Sequence, residues 1–228
     1  MEEPKKLDFS FLNFPSGKSD QEIEEAEKKE QAVKKQEVFE KSGVSRKFFN
    51  VSLDNYKAVT DEEKTALKES KNMVERIRKG TNEVLMFYGK FGTGKTHLGC
   101  SIIREVGGYY TTSFKLIIEY ESCNDFKSKQ TKMQMLEKYS NEKLLVIDEI
   151  GRGIKENVEK EILSYIINQR YENELPTVLI TNLDANDFFK FMGMAIKDRC
   201  QECCITVELT GNSKRPSLRV LPLKKDQN

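Results

Sequence analysis

Apolar positions along this chain change rhythm near residue 44. Before it they are sparse. In "SDQEIEEAEKKEQAVKKQEVFEKSG" the residues Ile23, Ala26, Val33, Val38 and Phe39 are too few for a broad buried stripe. Ser19 or Asp20 can cap this stretch, and Glu24–Lys28, Glu25–Lys29, Glu30–Lys34 and Glu37–Lys41 are i,i+4 pairs in the favourable order. The pattern predicts a mostly solvated helix ending near Gly43, either a spacer or an arm that docks on a partner. Ahead of it, Phe9, Phe11, Leu12 and Phe14 cluster between Pro4 and Pro15 in a polar setting, as a docking peptide or a flap would.

After residue 44, short apolar runs alternate with amphipathic stretches. "VERIRKG" closes a helix, and "EVLMFY" (83–88), "GYYTT" (108–112), "KLLVI" (143–147), "PTVLITN" (176–182) and "CITVEL" (204–209) read as strands. Between them "SFKLIIEY" and "NVEKEILSYIINQRYEN" read as helices, the second with Val158, Ile162, Tyr165, Ile166 and Gln169 on one face. Apolar strands alternating with helices predict an α/β fold with a five-stranded parallel sheet covered by helices on both sides.

Charge and cysteine content add limits. The net charge of +1 over 228 residues advertises neither nucleic acid nor membrane, so such contacts would have to come from local patches. The opening residues lack the layout of a signal peptide, and no apolar run approaches the roughly 20 residues of a membrane span. The expectation is a cytoplasmic protein. "CQECC" (Cys200, Cys203, Cys204) lacks a second ligand pair, so reduced thiols are expected there rather than zinc.

The candidate chemistry begins at "GKFGTGKT", residues 89–96, which fits G-x-x-x-x-G-K-[ST]. Gly89, Gly92 and Gly94 let the loop of Lys90, Phe91 and Thr93 curl so that its N–H groups converge on phosphate oxygens. A helix starting near Lys95 adds its dipole. Lys95 would face the β- and γ-phosphates of ATP, and Thr96 would offer a hydroxyl to Mg²⁺. His97, in the first helical turn, is expected to pack.

"LLVIDEIG" (144–151) places Asp148 and Glu149 at the carboxyl edge of the sheet, where ligands of open α/β sheets bind. Asp148 would hold the metal and Glu149 would act as general base toward the attacking water. Asn182, ending the fourth strand, either orients that water or turns the chain into the next helix; Asp184 serves equally well as the cap.

In this order and spacing, "GKFGTGKTHLG", "LLVIDEIG", "TVLITNL" and "MGMAIKDRC" resemble the AAA+ ATPases of the DnaC/DnaI helicase-loader type, a clade that includes the transposition helper IstB. The resemblance covers roughly residues 42–216 and includes "SGVSRKFFNVSLDNYKA". It implies a P-loop AAA+ core over 44–216, an N-terminal arm over 1–43 and a basic tail over 217–228. Lys95 and Thr96 match Walker A, Asp148 and Glu149 Walker B, and Asn182 sensor 1. Arg199 matches the arginine finger, which implies head-to-tail self-association. Arg215 stands where a second sensor would be, with Arg219 as its rival.

The 19 residues after Leu209 are too few for the helical lid of many AAA+ proteins, a lid the loaders also lack. Ala195 stands where the family often has an arginine. The implied function is ATP-dependent loading of a DnaB-like hexameric helicase onto single-stranded DNA. The alternatives are an IstB-like transposition helper and a non-hydrolysing adaptor. The stretch 124–138, with Phe126, Lys127, Lys129 and Lys132, fits a single-strand contact or a solvated surface helix.

Overall fold

The computed structural model describes residues 33–80, 83–152 and 155–215. The chain divides into two compact units, Met1–Glu37 and Val38–Asn228. Of the first, residues 33–37 are described and are helical. The aromatic cluster at 9–14, most of the expected arm, the tail and Arg219 lie outside the described residues.

In the second unit a 3-10 turn at Arg46–Phe48 leads to α1 (Asp61–Arg78). Thr60 and Glu63 close a capping box, and Asp61, Glu62 and Glu63 load the first turn with negative charge, which suits the positive end of the helix dipole. The chain then runs β1 (Val84–Gly89), α2 (Lys95–Val106), β2 (Tyr109–Thr112), α3 (Ser113–Ser122), α4 (Lys132–Ser140) and β3 (Leu145–Ile150). It continues α5 (Glu156–Glu172), β4 (Thr177–Thr181), α6 (Ala185–Met192), α7 (Met194–Cys203) and β5 (Cys204–Leu209).

The five strands form one sheet in the order β2-β3-β4-β1-β5, each neighbouring pair parallel. Side chains alternate across it. Leu85, Phe87, Val146, Val178 and Ile180 join the core under α1 and α2, while Val84, Met86, Leu145, Ile147 and Leu179 join the core under α3 to α7. Burial on both faces is why these strands read as unbroken apolar runs.

Three local differences from the sequence pattern have physical causes. β3 extends past Ile147 to Ile150, because the register against β4 shifts between those residues and the strand bulges through Asp148 and Glu149. The buried stripe of α5 is Glu159, Ile162, Leu163, Ile166, Ile167 and Arg170. Of the expected face, Val158, Tyr165 and Gln169 fall outside it and are only partly buried, and an arginine supplies the last buried position. The stretch 124–138 is not one solvated helix. A turn-rich loop precedes α4, which is held by a Thr131/Gln134 capping box and buries Met135, Leu136 and Tyr139.

Arg170 joins layers at the strands' N-terminal edge. It donates to Thr177 Oγ1 and to the carbonyls of Tyr139, Ser140, Glu142 and Pro176 at 2.7–3.2 Å. Burial brings its pKa down to about 10, leaving it charged at neutral pH.

Candidate functional site

At the strands' C-terminal edge a cleft of about 300 Å³ is lined by the loop from Phe91 to His97 and by Asp148, Glu149, Arg152, Asn182 and Arg215. Lys47, Phe48, Asn55, Tyr56 and Lys57 form another part of its wall. The strand order explains the convergence. β1 carries the glycine loop, β3 the acids and β4 Asn182, and β4 lies between the other two.

The loop holds an unusual backbone. Gly92 and Gly94 have φ of +78° and +101°. A Cβ at Gly94 would come within 2.7 Å of the Tyr56 ring, and one at Gly92 would collide with Ser213. Lys95 Nζ donates to the carbonyls of Gly89 (2.8 Å) and Lys90 (2.6 Å). Its burial lowers its pKa to about 8. The Lys90 carbonyl also accepts from Thr93 Oγ1 at 3.0 Å, so Gly89 and Lys90 act through main-chain oxygens that fasten the lysine's approach.

Asp148 is buried and collects three donors. Thr96 Oγ1 (2.6 Å) and the Tyr110 hydroxyl (3.0 Å) donate to Oδ2, and the Glu149 N–H (2.6 Å) donates to Oδ1. Burial, followed by the charge of Asp148, pushes the Tyr110 hydroxyl well above the usual phenol range. A hydroxyl and a carboxylate held side by side form a hard-oxygen pair suited to a divalent cation such as Mg²⁺.

Glu149 has φ +60°, an uncommon left-handed conformation for a residue with a side chain. Its carbonyl accepts from Ser113 Oγ at 2.9 Å. Asn182 faces the cleft, and the cap of α6 is Asp184, which accepts from the Asp187 N–H at 2.8 Å.

His97 packs. Its Nε2 is 3.0 Å from the Ser52 carbonyl, and its ring meets Tyr56 edge-on with centroids 5.3 Å apart. Burial lowers its pKa. Lys214 fastens the segment after β5 to the same wall. Its N–H donates to Gly92 O at 2.8 Å, and its ammonium sits 4.0 Å from the Tyr56 ring centroid and 3.1 Å from the buried Glu63. Arg215 follows it into the cleft wall.

Arg199 lies elsewhere. On α7 it bonds Asn168, faces Glu172 at 3.7 Å and stacks on Tyr171 at 5.4 Å, all near the C-terminal end of α5. That end leads into the start of β4, so Arg199 sits by the opposite edge of the sheet from the cleft.

Sequence reading missed Tyr56, Tyr110 and Arg152. Only Arg152, a cation placed directly after D-E-I-G, left a trace that could have been followed. The others acquire meaning through partners distant in sequence.

Comparison with known proteins gives this geometry a family. The IstB-like ATP binding protein family matches residues 22–220. The replicative helicase loader DnaC of Escherichia coli (strain K12) is 32% identical over 177 residues, 76% of this chain and 72% of DnaC. The insertion sequence IS232 putative ATP-binding protein of Bacillus thuringiensis subsp. berliner is 29% identical over 145 residues, 58% of this chain and 56% of that protein. A crystal structure of the DnaC helicase loader superposes with a TM-score of 0.62 at 23% identity, covering 73% of this chain and all of that one, which shows a shared fold. This chain belongs to the IstB-like ATP-binding protein family and is a relative of the DnaC helicase loaders.

Proposed function

We propose that this chain binds and hydrolyses ATP in the cleft and uses that cycle to load a hexameric replicative helicase onto single-stranded DNA in the cytoplasm. The observation that carries the reading is the convergence of Lys95, Thr96, Asp148, Glu149 and Asn182 from three neighbouring strand ends on one cleft. The identity with DnaC supports the choice of cargo.

Each residue then has a role. The loop amides and Lys95 bind the β- and γ-phosphates, and the ammonium trades its carbonyl partners for phosphate oxygens. Thr96 and Asp148 would hold Mg²⁺, which supplies Lewis-acid polarisation of the phosphate when bound. Glu149 accepts the proton of the attacking water, Asn182 orients that water, and Arg215 meets the phosphates from the cleft wall. Arg199 lies too far round the sheet to serve its own cleft and acts on a neighbour's nucleotide. That requires head-to-tail assembly.

The arm expected over 1–43 acts in partner docking as far as residue 37, because Phe39 and Ser42 are buried in the ATPase core that runs on to 216, and 217–228 act as a basic tail. The loop bearing Phe126 contacts single-stranded DNA. Phe126 is fully exposed and is flanked by Lys127 and Lys129, as base stacking with backbone neutralisation requires, whereas Lys132 is engaged over the Tyr120 ring. Among the described residues no helix is long and apolar enough to cross a membrane.

A second reading, an ATP-dependent transposition helper, is favoured by the IS232 relative. The Glu149→Gln protein used as bait in host extract with ATP distinguishes the two. Capture of a hexameric helicase, lost in a Lys95→Ala background, is expected. Capture of a transposase selects the second reading, and no ATP-dependent capture overturns both.

A further inference from the structure

Arg152 follows Gly151 at the end of β3 and reaches two parts of the cleft at once. Its Nη1 donates to Glu149 Oε1 at 2.6 Å, and its guanidinium lies over the Phe91 ring, 5.2 Å from the centroid. It thus ties Glu149, near the end of β3, to the tip of the glycine loop.

The backbone of Glu149 has little freedom to respond. Its N–H is bonded to Asp148, its carbonyl to Ser113, and its φ is +60°. What can change is the partner of its side chain. The ion pair is half exposed, 49% for Arg152 and 40% for Glu149. Water screens both charges of such a pair and weakens it, so the guanidinium is readily exchanged.

A guanidinium engaged with a single carboxylate oxygen gains by moving to a group that accepts two parallel bonds, and a terminal phosphate is such a group. Arg152 also lines the same cleft as the loop from Phe91 to His97, Lys95 included, where the phosphates would lie.

We propose that Arg152 is a positioning residue with two alternative partners, the Glu149 carboxylate and the terminal phosphate of a nucleoside triphosphate, and that taking the second frees Glu149 to meet the attacking water. The exchange makes Arg152 a reader of tri- against diphosphate, because a diphosphate offers nothing at that position. It operates before hydrolysis, within a single subunit, and is separate from any contact made by Arg199. It rests on the reading of the cleft as an ATPase site.

The test compares wild type, Arg152→Gln and Arg152→Lys by direct titration with a non-hydrolysable ATP analogue and with ADP, both with Mg²⁺. Arg152→Gln is expected to weaken the analogue about tenfold, the weight of one charge-assisted hydrogen bond, and ADP by no more than about twofold. Arg152→Lys is expected to recover part of the preference, since it keeps the charge without the fork. Equal weakening of both nucleotides means that Arg152 only supports the fold of the cleft, and an unchanged ratio means that it never meets the terminal phosphate. Either result overturns the exchange while leaving the ATPase reading intact. A wild-type protein that binds neither nucleotide overturns the ATPase reading itself, and the exchange with it.

Discussion

The two edges of the sheet hold positive charge in opposite ways. At the C-terminal edge the partners are few and replaceable: two loop carbonyls for Lys95, and one carboxylate oxygen and a ring for Arg152. At the N-terminal edge Arg170 is 1% exposed and donates to five acceptors, four of them main-chain carbonyls fixed at the end of α4 and just before β3 and β4. No ligand could compete for that guanidinium without opening the α4–β3 and α5–β4 junctions. The number and kind of partners thus separate cations available to a substrate from cations that hold the fold.

Arg199 tests this rule, because it lies at the second edge but is held in the manner of the first. Its partners are the side chains of Asn168, Glu172 and Tyr171, and its own side chain is 29% exposed. If partner type decides, Arg199→Ala should lower ATP turnover by about 10³-fold, as loss of an arginine finger does in other NTPases. Its thermal unfolding should stay within about 0.5 kcal/mol of wild type. Mixing it with Lys95→Ala protein should restore part of the turnover, because each supplies what the other lacks. Wild-type turnover in the single variant would return Arg199 to a structural role.

Arg170→Met should do the reverse. Four carbonyls, three of them in buried bonds, lose their donor, for about 3 kcal/mol of stability. At this size that lowers the melting temperature by about 10 °C, with nucleotide affinity unchanged in the protein that remains folded. A drop in affinity without a drop in melting temperature would break the comparison. Glu149→Gln should retain ATP binding and lose turnover by about 10²-fold or more, the usual weight of a general base. Equal turnover in wild type and variant would remove Glu149 from the chemistry.

The same contrast explains what could be read from the sequence. All five strands were legible: the inner strands β1, β3 and β4 because a strand buried on both faces is a continuous apolar run, and the edge strands β2 and β5 from shorter or alternating patterns. The glycine loop and the acid pair were legible too, because their spacing is set by local backbone geometry: a strand end, a curl and a helix start. The bulge through Asp148 and Glu149 was not, since it depends on how β3 registers against β4. Tyr110 illustrates the general difficulty. It lies mid-strand between Tyr109 and Thr111, and only the β2–β3 pairing brings its hydroxyl to Asp148. Arg170 reads as one more polar residue closing a helix, and its importance comes from carbonyls at residues 139–142 and 176. The role proposed for Arg199 rests on family likeness, and its partners within the chain do not reveal it.

The smallest predicted effect concerns proton uptake at the exchangeable edge. Lys95, buried among the carbonyls of Gly89 and Lys90, has its pKa brought down to about 8, the first cause being loss of water. Phosphate oxygens in contact with the ammonium favour its charged form, so the bound-state value must lie higher. Binding therefore takes up a proton wherever the pH exceeds the lower value. Affinity should be flat below pH 8 and weaken as pH rises through it, with a limiting slope of about tenfold per unit until the bound-state pKa is reached. Between pH 7 and pH 9 the dissociation constant for ADP should rise about tenfold. Calorimetric titrations at pH 8.5 in two buffers of different ionisation heat should show net proton uptake. ADP is the right probe, since it isolates Lys95 from the terminal-phosphate contact assigned to Arg152. The comparison predicts no counterpart at the other edge, because Arg170 stays protonated and fully bonded across this range. Proton uptake that persists in Lys95→Met, measured at concentrations high enough to saturate it, would place the titrating group elsewhere in the cleft.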